Sequence, residues 1–354
     1  MRHFYCRRTH GLGLIDLMVG LTIGMVATLV ILNVMVMFDA RRRSVSSGAD
    51  AQVNAVFAST WLARELRSAG HGLGPSTVLG CKVHRAAAGT PDANFTLAPV
   101  TITQGDDGAP DTLVVLAASE QALPAARLIA PYTVGSGTVT LDSILGIAEG
   151  TQLLLHTAGQ TDCALLSVAA MSIGAYTIQP TEVSGLLGGV VFATDSAVVN
   201  LGRLRYRRLM VDSAQRLQLS DFNTSSSGWT TSTQSDGIVN LQLQYGFDTR
   251  IGTQASPQVN RWSEVMVDAD ADGQTGDAGD LQRLVAVRFA LVVRSTQRRE
   301  ASCDAPMPTW LAGDETGELV TTDISLAHIP QWRCWRYRVL QAEVPLRNQL
   351  WRDL

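Results

Sequence analysis

Residues Leu12 to Phe38 form one apolar stretch whose only ionisable side chain is Asp16. No other feature constrains the chain as much. About 20 apolar residues cross the hydrocarbon core of a bilayer, so this stretch is long enough for a transmembrane helix. Two plainer readings stand beside it. A buried core helix of a soluble protein passes the same test, although it rarely sits at the extreme N-terminus. A secretory signal has an apolar region of about 7–15 residues ending at a small-residue cleavage site. Here the stretch is longer and runs into Phe38-Asp39-Ala40-Arg41-Arg42-Arg43. A retained membrane helix is therefore expected. Arg2, Arg7 and Arg8 precede it and Arg41, Arg42 and Arg43 follow it, so the positive-inside rule does not set its orientation.

The rest of the 354-residue chain has the composition of a folded body. The whole chain is 46% hydrophobic with a net charge of only −4, which argues against wholesale disorder. A mildly acidic balance also argues against a nucleic-acid partner, and none is expected. Of five cysteines, Cys6 lies before the apolar stretch and Cys81, Cys163, Cys303 and Cys334 lie after it. Their spacing contains no CxxC and does not suit zinc. An even number on one side of a membrane fits two disulfides in an oxidising compartment. Cys81–Cys163 with Cys303–Cys334 closes the shortest loops; four buried thiols in a cytosolic body is the alternative.

Residues 11–19 read Gly-Leu-Gly-Leu-Ile-Asp-Leu-Met-Val, with Arg7, Arg8 and His10 just before. This resembles the N-terminus of type IV prepilins, in which a short basic leader ends in Gly. An apolar first mature residue follows, with a carboxylate at the fifth. The resemblance implies a leader Met1–Gly11, cleavage between Gly11 and Leu12, and N-methylation at Leu12, both by a prepilin peptidase. It makes Asp16 the assembly carboxylate, facing the free ammonium of a neighbouring subunit. The usual residues are Phe and Glu; here they are Leu12 and Asp16. A carboxylate within a membrane segment costs about 2.5–3.5 kcal/mol on insertion scales, so such a group usually has a partner. A carboxylate at headgroup level is the other reading of Asp16.

Beyond the apolar stretch, Val45, Ala49, Val53, Val56, Phe57, Thr60, Ala63 and Leu66 recur in steps of three and four, which predicts an amphipathic helix ending near Gly70, Gly72, Gly74 and Pro75. One unbroken helix from Leu12 to Ala69 would be about 87 Å long. From His71 on, short β-type runs dominate: Thr112–Ala118, Gly137–Leu141, Gln152–Thr157 and Ala164–Ala170. Leu204–Val211 and Arg216–Leu219 suggest a hairpin around Asp212–Gln215. Val239, Leu241, Leu243, Tyr245 and Phe247 alternate with Asn240, Gln242, Gln244 and Gly246, a strong period-two signal. Leu284–Val293, apolar on both faces apart from Arg288, reads as a central strand. The Ser/Thr-rich segment Phe222–Gly237 reads as a surface loop.

Several phrases resemble PilW-type minor pilins: Leu62-Ala63-Arg64-Glu65-Leu66-Arg67-Ser68-Ala69-Gly70, Asp236 to Gly246, Val285 to Ser295, and Tyr337 through Trp351. Residues 85–200 carry no such mark. The resemblance implies an α+β fold, with a long N-terminal helix (a membrane-spanning half and an amphipathic half) packed on a large, mostly antiparallel β head. Its segments would be a leader at 1–11, a transmembrane half at 12–38, an amphipathic half at 39–70 and a periplasmic head at 71–354. It implies a minor pilin that helps prime type IV pilus assembly and sits at the fibre tip, supporting adhesion and twitching motility. Partners would be the prepilin peptidase, other minor pilins, the major pilin and, before assembly, inner-membrane lipid. The N-terminus would be cytoplasmic and the head periplasmic, then part of the fibre. A type II secretion pseudopilin is the alternative within the class. A periplasmic binding or enzymatic domain on an uncleaved anchor is the alternative outside it.

Asp268, Asp270, Asp272 and Gly273 are spaced like the opening of an EF-hand loop, with Gln274 offering its carbonyl. Position 12 is Gly279 instead of a bidentate Glu, with Asp280 one residue late, so this is no EF-hand. A solvated acidic turn is the first reading and a weak structural calcium at Asp268, Asp270, Asp272, Gln274 and Asp280 the second; no other cofactor is expected. No GxSxG elbow, Walker loop or HExxH occurs, and the six His are scattered, so no enzymatic activity is expected. Trp310, Trp332, Trp335 and Trp351 gather near the C-terminus, suited to core packing or to a partner surface.

Overall fold

A computed structural model describes residues 13–84, 94–119, 126–181, 190–223, 228–250, 252, 256–298, 303–314 and 316–350. The fold is α+β, and the chain divides into two compact units, Met1–Asp50 and Ala51–Leu354. One helix, Leu14–Ser68, supplies the first unit and opens the second. Its first turn is closed by Asp16, whose Oδ2 accepts the Gly13 N–H at 3.2 Å. A carboxylate in the first turn also suits the positive end of the helix dipole. The helix stops at Gly70, which takes the left-handed φ of 77° and donates its N–H to Leu116 O at 2.8 Å. A Cβ there would lie 3.2 Å from that of Pro99, so any other residue would be both strained and crowded.

Within the second unit the helix buries Ala51, Ala55, Ala58, Leu62, Leu66 and Ala69, spaced by three or four residues. Of the positions the sequence pattern picks out, Ala63 and Leu66 are buried in this core, but Ala49, Val53, Val56, Phe57 and Thr60 lie on another face. Val53 and Phe57 are 67% and 55% exposed, and Val56 and Thr60 are exposed as well. The alanines decide it: their small side chains let the helix approach the strands closely, which Val and Phe at the same positions would prevent.

That helical face shares one core with two sheets. The four-stranded sheet is ordered Arg261–Ser263, Ile238–Phe247, Leu284–Arg294, Tyr337–Pro345, all antiparallel. Leu284–Arg294 thus has a neighbour on each side, the central position its two-faced apolarity calls for. The five-stranded sheet is ordered Gly228–Asp236, Arg216–Asn223, Arg205–Val211, Thr112–Ala117, Val100–Thr103. Its hairpin turns at Asp212–Gln215, where Gln215 adopts φ 63° and Asp212 Oδ1 accepts the Arg216 N–H at 2.9 Å.

Two readings of this region need correction. Gly228–Asp236, expected as part of a loop, is an edge strand paired to Arg216–Asn223. Its middle, Thr230–Thr233, is polar and exposed, whereas Trp229 packs edge-on against Tyr206 and Phe222 and Ser235 is buried. Thr231 and Thr233 hold their place through hydrogen bonds to Ser220 (2.9 Å) and Gln218 (3.1 Å). Val239 does not share a face with Leu241, Leu243, Tyr245 and Phe247. An irregularity in register between Ile238 and Asn240 puts Ile238 into that core and Val239 into a separate one with Ala290, Val292, Trp310 and Leu326. Nor is the polar face of this strand solvated. Asn240 donates to Gly108 O and Ser325 O (both 2.9 Å), Gln242 to Ala109 O (3.0 Å), and Gln244 to Gly313 O (3.0 Å). Buried amides with backbone partners fasten the loops over the sheet.

An eight-stranded sheet occupies much of residues 82–202. Its main path runs Asn94–Thr96, Lys82–His84, Asp162–Ser172, Gln152–His156, Ala197–Gly202, Ala126–Arg127; Lys82–His84 lies parallel to Asp162–Ser172, and the other pairings are antiparallel. Leu153, Leu155, Leu166, Ile178 and Phe192 fill its core. The Cys81–Cys163 disulfide is buried with Leu73, Val78 and Leu201, and a second disulfide joins Cys303 to Cys334.

Candidate functional site

The first unit presents its apolar side chains outward. From Leu14 to Asp39 the helix is long and apolar enough to cross a membrane, and none of that span is buried within the chain. Its hydroxyls are satisfied internally: Thr22 Oγ1 donates to Val19 O at 2.9 Å and Thr28 Oγ1 to Gly24 O at 2.7 Å. A lipid environment requires this, because water is absent there. Asp16, near the start of the span, is exposed and bonded to Gly13 as described. Gly11 and Leu12, the expected cleavage pair, lie outside the described residues.

In the second unit, the phrases that resemble PilW-type proteins fall where the helix meets the C-terminal sheet. Glu65 is buried on the helix and receives Arg207 Nη1 at 2.8 Å, while Arg207 Nε reaches Asp221 Oδ2 at 3.1 Å. The helix end is held by the chain's last described turn. Asn348 Nδ2 donates to Arg67 O (3.2 Å) and Ala69 O (3.0 Å), covering carbonyls that a helix terminus leaves without partners. Leu346 is buried beside them and donates its N–H to Val285 O at 2.8 Å. Neither Glu65–Arg207 nor Asn348–Ala69 has a local sequence signal, since the partners stand far apart in the chain.

The acidic turn brings its expected residues together only in part. Carboxylate oxygens of Asp268, Asp270 and Asp280 converge within 4.8 Å, as do those of Asp270, Asp272 and Asp277. Asp277 was not among the expected ligands. Gln274 donates its N–H to Asp272 Oδ1 at 2.7 Å. Asp280 is buried and closes the loop, accepting N–H groups from Ala269 and from Gly276 (2.6 Å). Burial pushes its carboxyl pKa up, against the pull of these two bonds. Asp268 likewise accepts from Asp272 N (3.2 Å) and Gly273 N (2.9 Å). Each carboxylate keeps lone pairs beyond these bonds, so the oxygen set suits a hard cation. Gly279 leaves room for it: a Cβ there would sit 1.8 Å from Asp270 Oδ2.

Of the tryptophans, Trp310 is in the core, Trp332 packs partly against it, and Trp335 lies beneath Arg294, whose guanidinium is 4.0 Å from the ring centre. Trp351 lies outside the described residues.

Residues 205–348 match a protein-family model described as PilW, type IV pilus-assembly protein W. No curated protein and no solved structure matches the chain. The matched region holds the hairpin at Asp212–Gln215, the whole four-stranded sheet, Arg207 and Asn348, and stops short of the eight-stranded sheet and the N-terminal helix. This match, over 205–348, supports a likeness to PilW-type type IV pilus proteins in the C-terminal part of the chain.

Proposed function

We propose that this chain is a minor pilin that helps prime type IV pilus assembly in the bacterial inner membrane and takes a position at the fibre tip. The observation that carries this reading is the pairing of an outward-facing apolar helix, with one carboxylate near its start, and a body matching the pilus-assembly family. In the membrane the helix holds the subunit until assembly; in the fibre it packs against other pilin helices. Asp16 sets the register by meeting the amine of a neighbour, which ends its bond to Gly13. Adhesion and twitching motility follow from assembly, and the role requires no catalysis by this chain. The two disulfides support a periplasmic position for the body, since such bonds persist in oxidising compartments.

The test is the intact mass and N-terminal sequence of the membrane-extracted chain, with and without a co-expressed prepilin peptidase. A methylated Leu12 at the terminus, seen only with the peptidase, is the expected result. A chain still beginning at Met1 beside an active peptidase would return the anchored periplasmic domain to first place. Loss of surface pili on deletion, restored by the parent gene and not by Asp16→Ala, tests the assembly role itself.

A further inference from the structure

One end of the second unit gathers arginine and tryptophan. Ser295 N donates to Arg336 O at 2.9 Å, and Val293 and Arg294 pair with Arg338 and Tyr337. Arg298 donates to Cys334 Sγ at 3.3 Å, and Ala305 N to Arg333 O at 3.0 Å, so the disulfide Cys303–Cys334 binds the cluster together. Arg298, Arg333, Arg336 and Arg338 are exposed, and Arg294 is half-buried. Two guanidiniums stack on indoles, Arg294 on Trp335 and Arg333 on Trp332, the latter 5.1 Å from the ring centre. Among the described residues, five arginines thus share this end with Asp304 and Asp236, in a chain whose net charge is −4.

The cluster frames a groove of about 420 Å³. Pro306, Met307, Pro308 and Val339 give it apolar walls, and Arg336 and Arg338 line it as well. Apolar walls beside guanidiniums suit an amphiphile with an anionic head. A purely polar polyanion would leave those walls wet. Within this unit the cluster adjoins the helix near Asn54, whose Nδ2 donates to Asp236 O at 3.4 Å, while Arg294 N donates to Gly237 O at 2.9 Å.

We propose that this arginine–tryptophan end is a docking surface for anionic phospholipid, which holds the body against the membrane before assembly. Indole rings favour the interfacial region, and arginines beside an anionic leaflet each add about fivefold to binding. Release into the fibre then requires leaving the lipid surface, so anionic lipid retains the unassembled subunit. This rests on the membrane-anchored reading of the apolar helix.

The test is native mass spectrometry of the full chain in detergent, titrated with phosphatidylglycerol or phosphatidylcholine of the same acyl chains. Phosphatidylglycerol should be retained preferentially, and Arg333→Glu with Arg338→Glu should lower that retention by at least about tenfold. Phosphatidylcholine retention and the melting temperature should not change, and the paired Arg→Lys variant should keep the preference. Equal retention of phosphatidylglycerol by parent and Glu variant would overturn the proposal, assigning any preference to the arginines flanking the apolar span. Displacement of the lipid by soluble polyglutamate at equal charge would also overturn it, in favour of an acidic protein. Failure to retain either phospholipid would remove the membrane-anchored reading as well.

Discussion

Glu65 and Arg207, 142 positions apart, form an ion pair that ties the N-terminal helix to the strand Arg205–Val211. Glu65 is buried beside Leu62, Leu66 and Ala69, and Asp221 holds the other edge of the same guanidinium. Removing one member of such a pair leaves the other charge without its partner in a low-dielectric setting. Arg207→Ala should therefore destabilise the body by about 3 kcal/mol, and Glu65→Gln, which keeps an acceptor, by about 1–2 kcal/mol. Urea unfolding of the two variants and the double variant checks this. Additive losses would show that the two side chains do not act as a pair.

The architecture was legible wherever burial left a periodic trace. Val239–Phe247 announced a strand because Leu241, Leu243, Tyr245 and Phe247 alternate, and Leu284–Val293 announced a central one because both faces are apolar. The pattern could not carry the register irregularity at Ile238–Asn240, since a displaced residue looks the same in one dimension. The end of the helix was legible from Gly70, but not which face it buries. Val53, Val56 and Phe57 outrank Ala51, Ala55 and Ala58 in hydrophobicity, whereas close packing on two sheets selects the smaller set. Gly228–Asp236 was hidden for the opposite reason: an edge strand whose middle, Thr230–Thr233, is exposed on both faces has the composition of a loop. At the acidic turn, spacing found Asp268, Asp270 and Asp272, and the fold added Asp277 from beyond the loop pattern.

The disulfides brace different parts of the body. Cys81–Cys163 closes a separation of 82 residues in the core beneath the eight-stranded sheet, and Cys303–Cys334 closes 31 at the arginine-rich end. Loop-closure entropy gives about 4 kcal/mol for the first and slightly less for the second. Cys81→Ser with Cys163→Ser should therefore lower the urea midpoint more than Cys303→Ser with Cys334→Ser. The reverse order would show that native-state packing, and not chain entropy, sets their contributions.

Two aspartates should give the stability profile opposite slopes. Burial pushes the Asp111 carboxyl up to about 7, although N–H groups of Gly105 (2.9 Å) and Leu243 (2.7 Å) pull it down and Glu264 adds to the rise. Its folded state binds the proton more tightly than the unfolded chain. Its contribution is thus complete below about pH 3.9 and lost as pH rises through 7. The hydrogen bond from Arg250 holds Asp248 down at about 2, against burial, so its contribution is present above about pH 3.9 and lost as pH falls through 2. Urea midpoints across pH 4–7 should fall in the parent and flatten in Asp111→Asn. An unchanged slope in that variant would assign the pH dependence to other groups.

At the acidic turn, calcium at millimolar concentration should raise the melting temperature by about 3 °C, as expected for a site in the affinity range of extracellular modules. Asp268→Ala with Asp270→Ala should abolish the rise, because these two carboxylates meet Asp280 within 4.8 Å. Gly279→Ala should abolish it without removing any oxygen, since the new Cβ falls 1.8 Å from Asp270 Oδ2 and forces that carboxylate away. Magnesium, which demands shorter bonds in a near-octahedral set, should have the smaller effect. If calcium leaves the parent's melting temperature unchanged, the turn is a solvated one whose carboxylates serve its own backbone N–H groups, as Asp268 serves Gly273 and Asp280 serves Gly276.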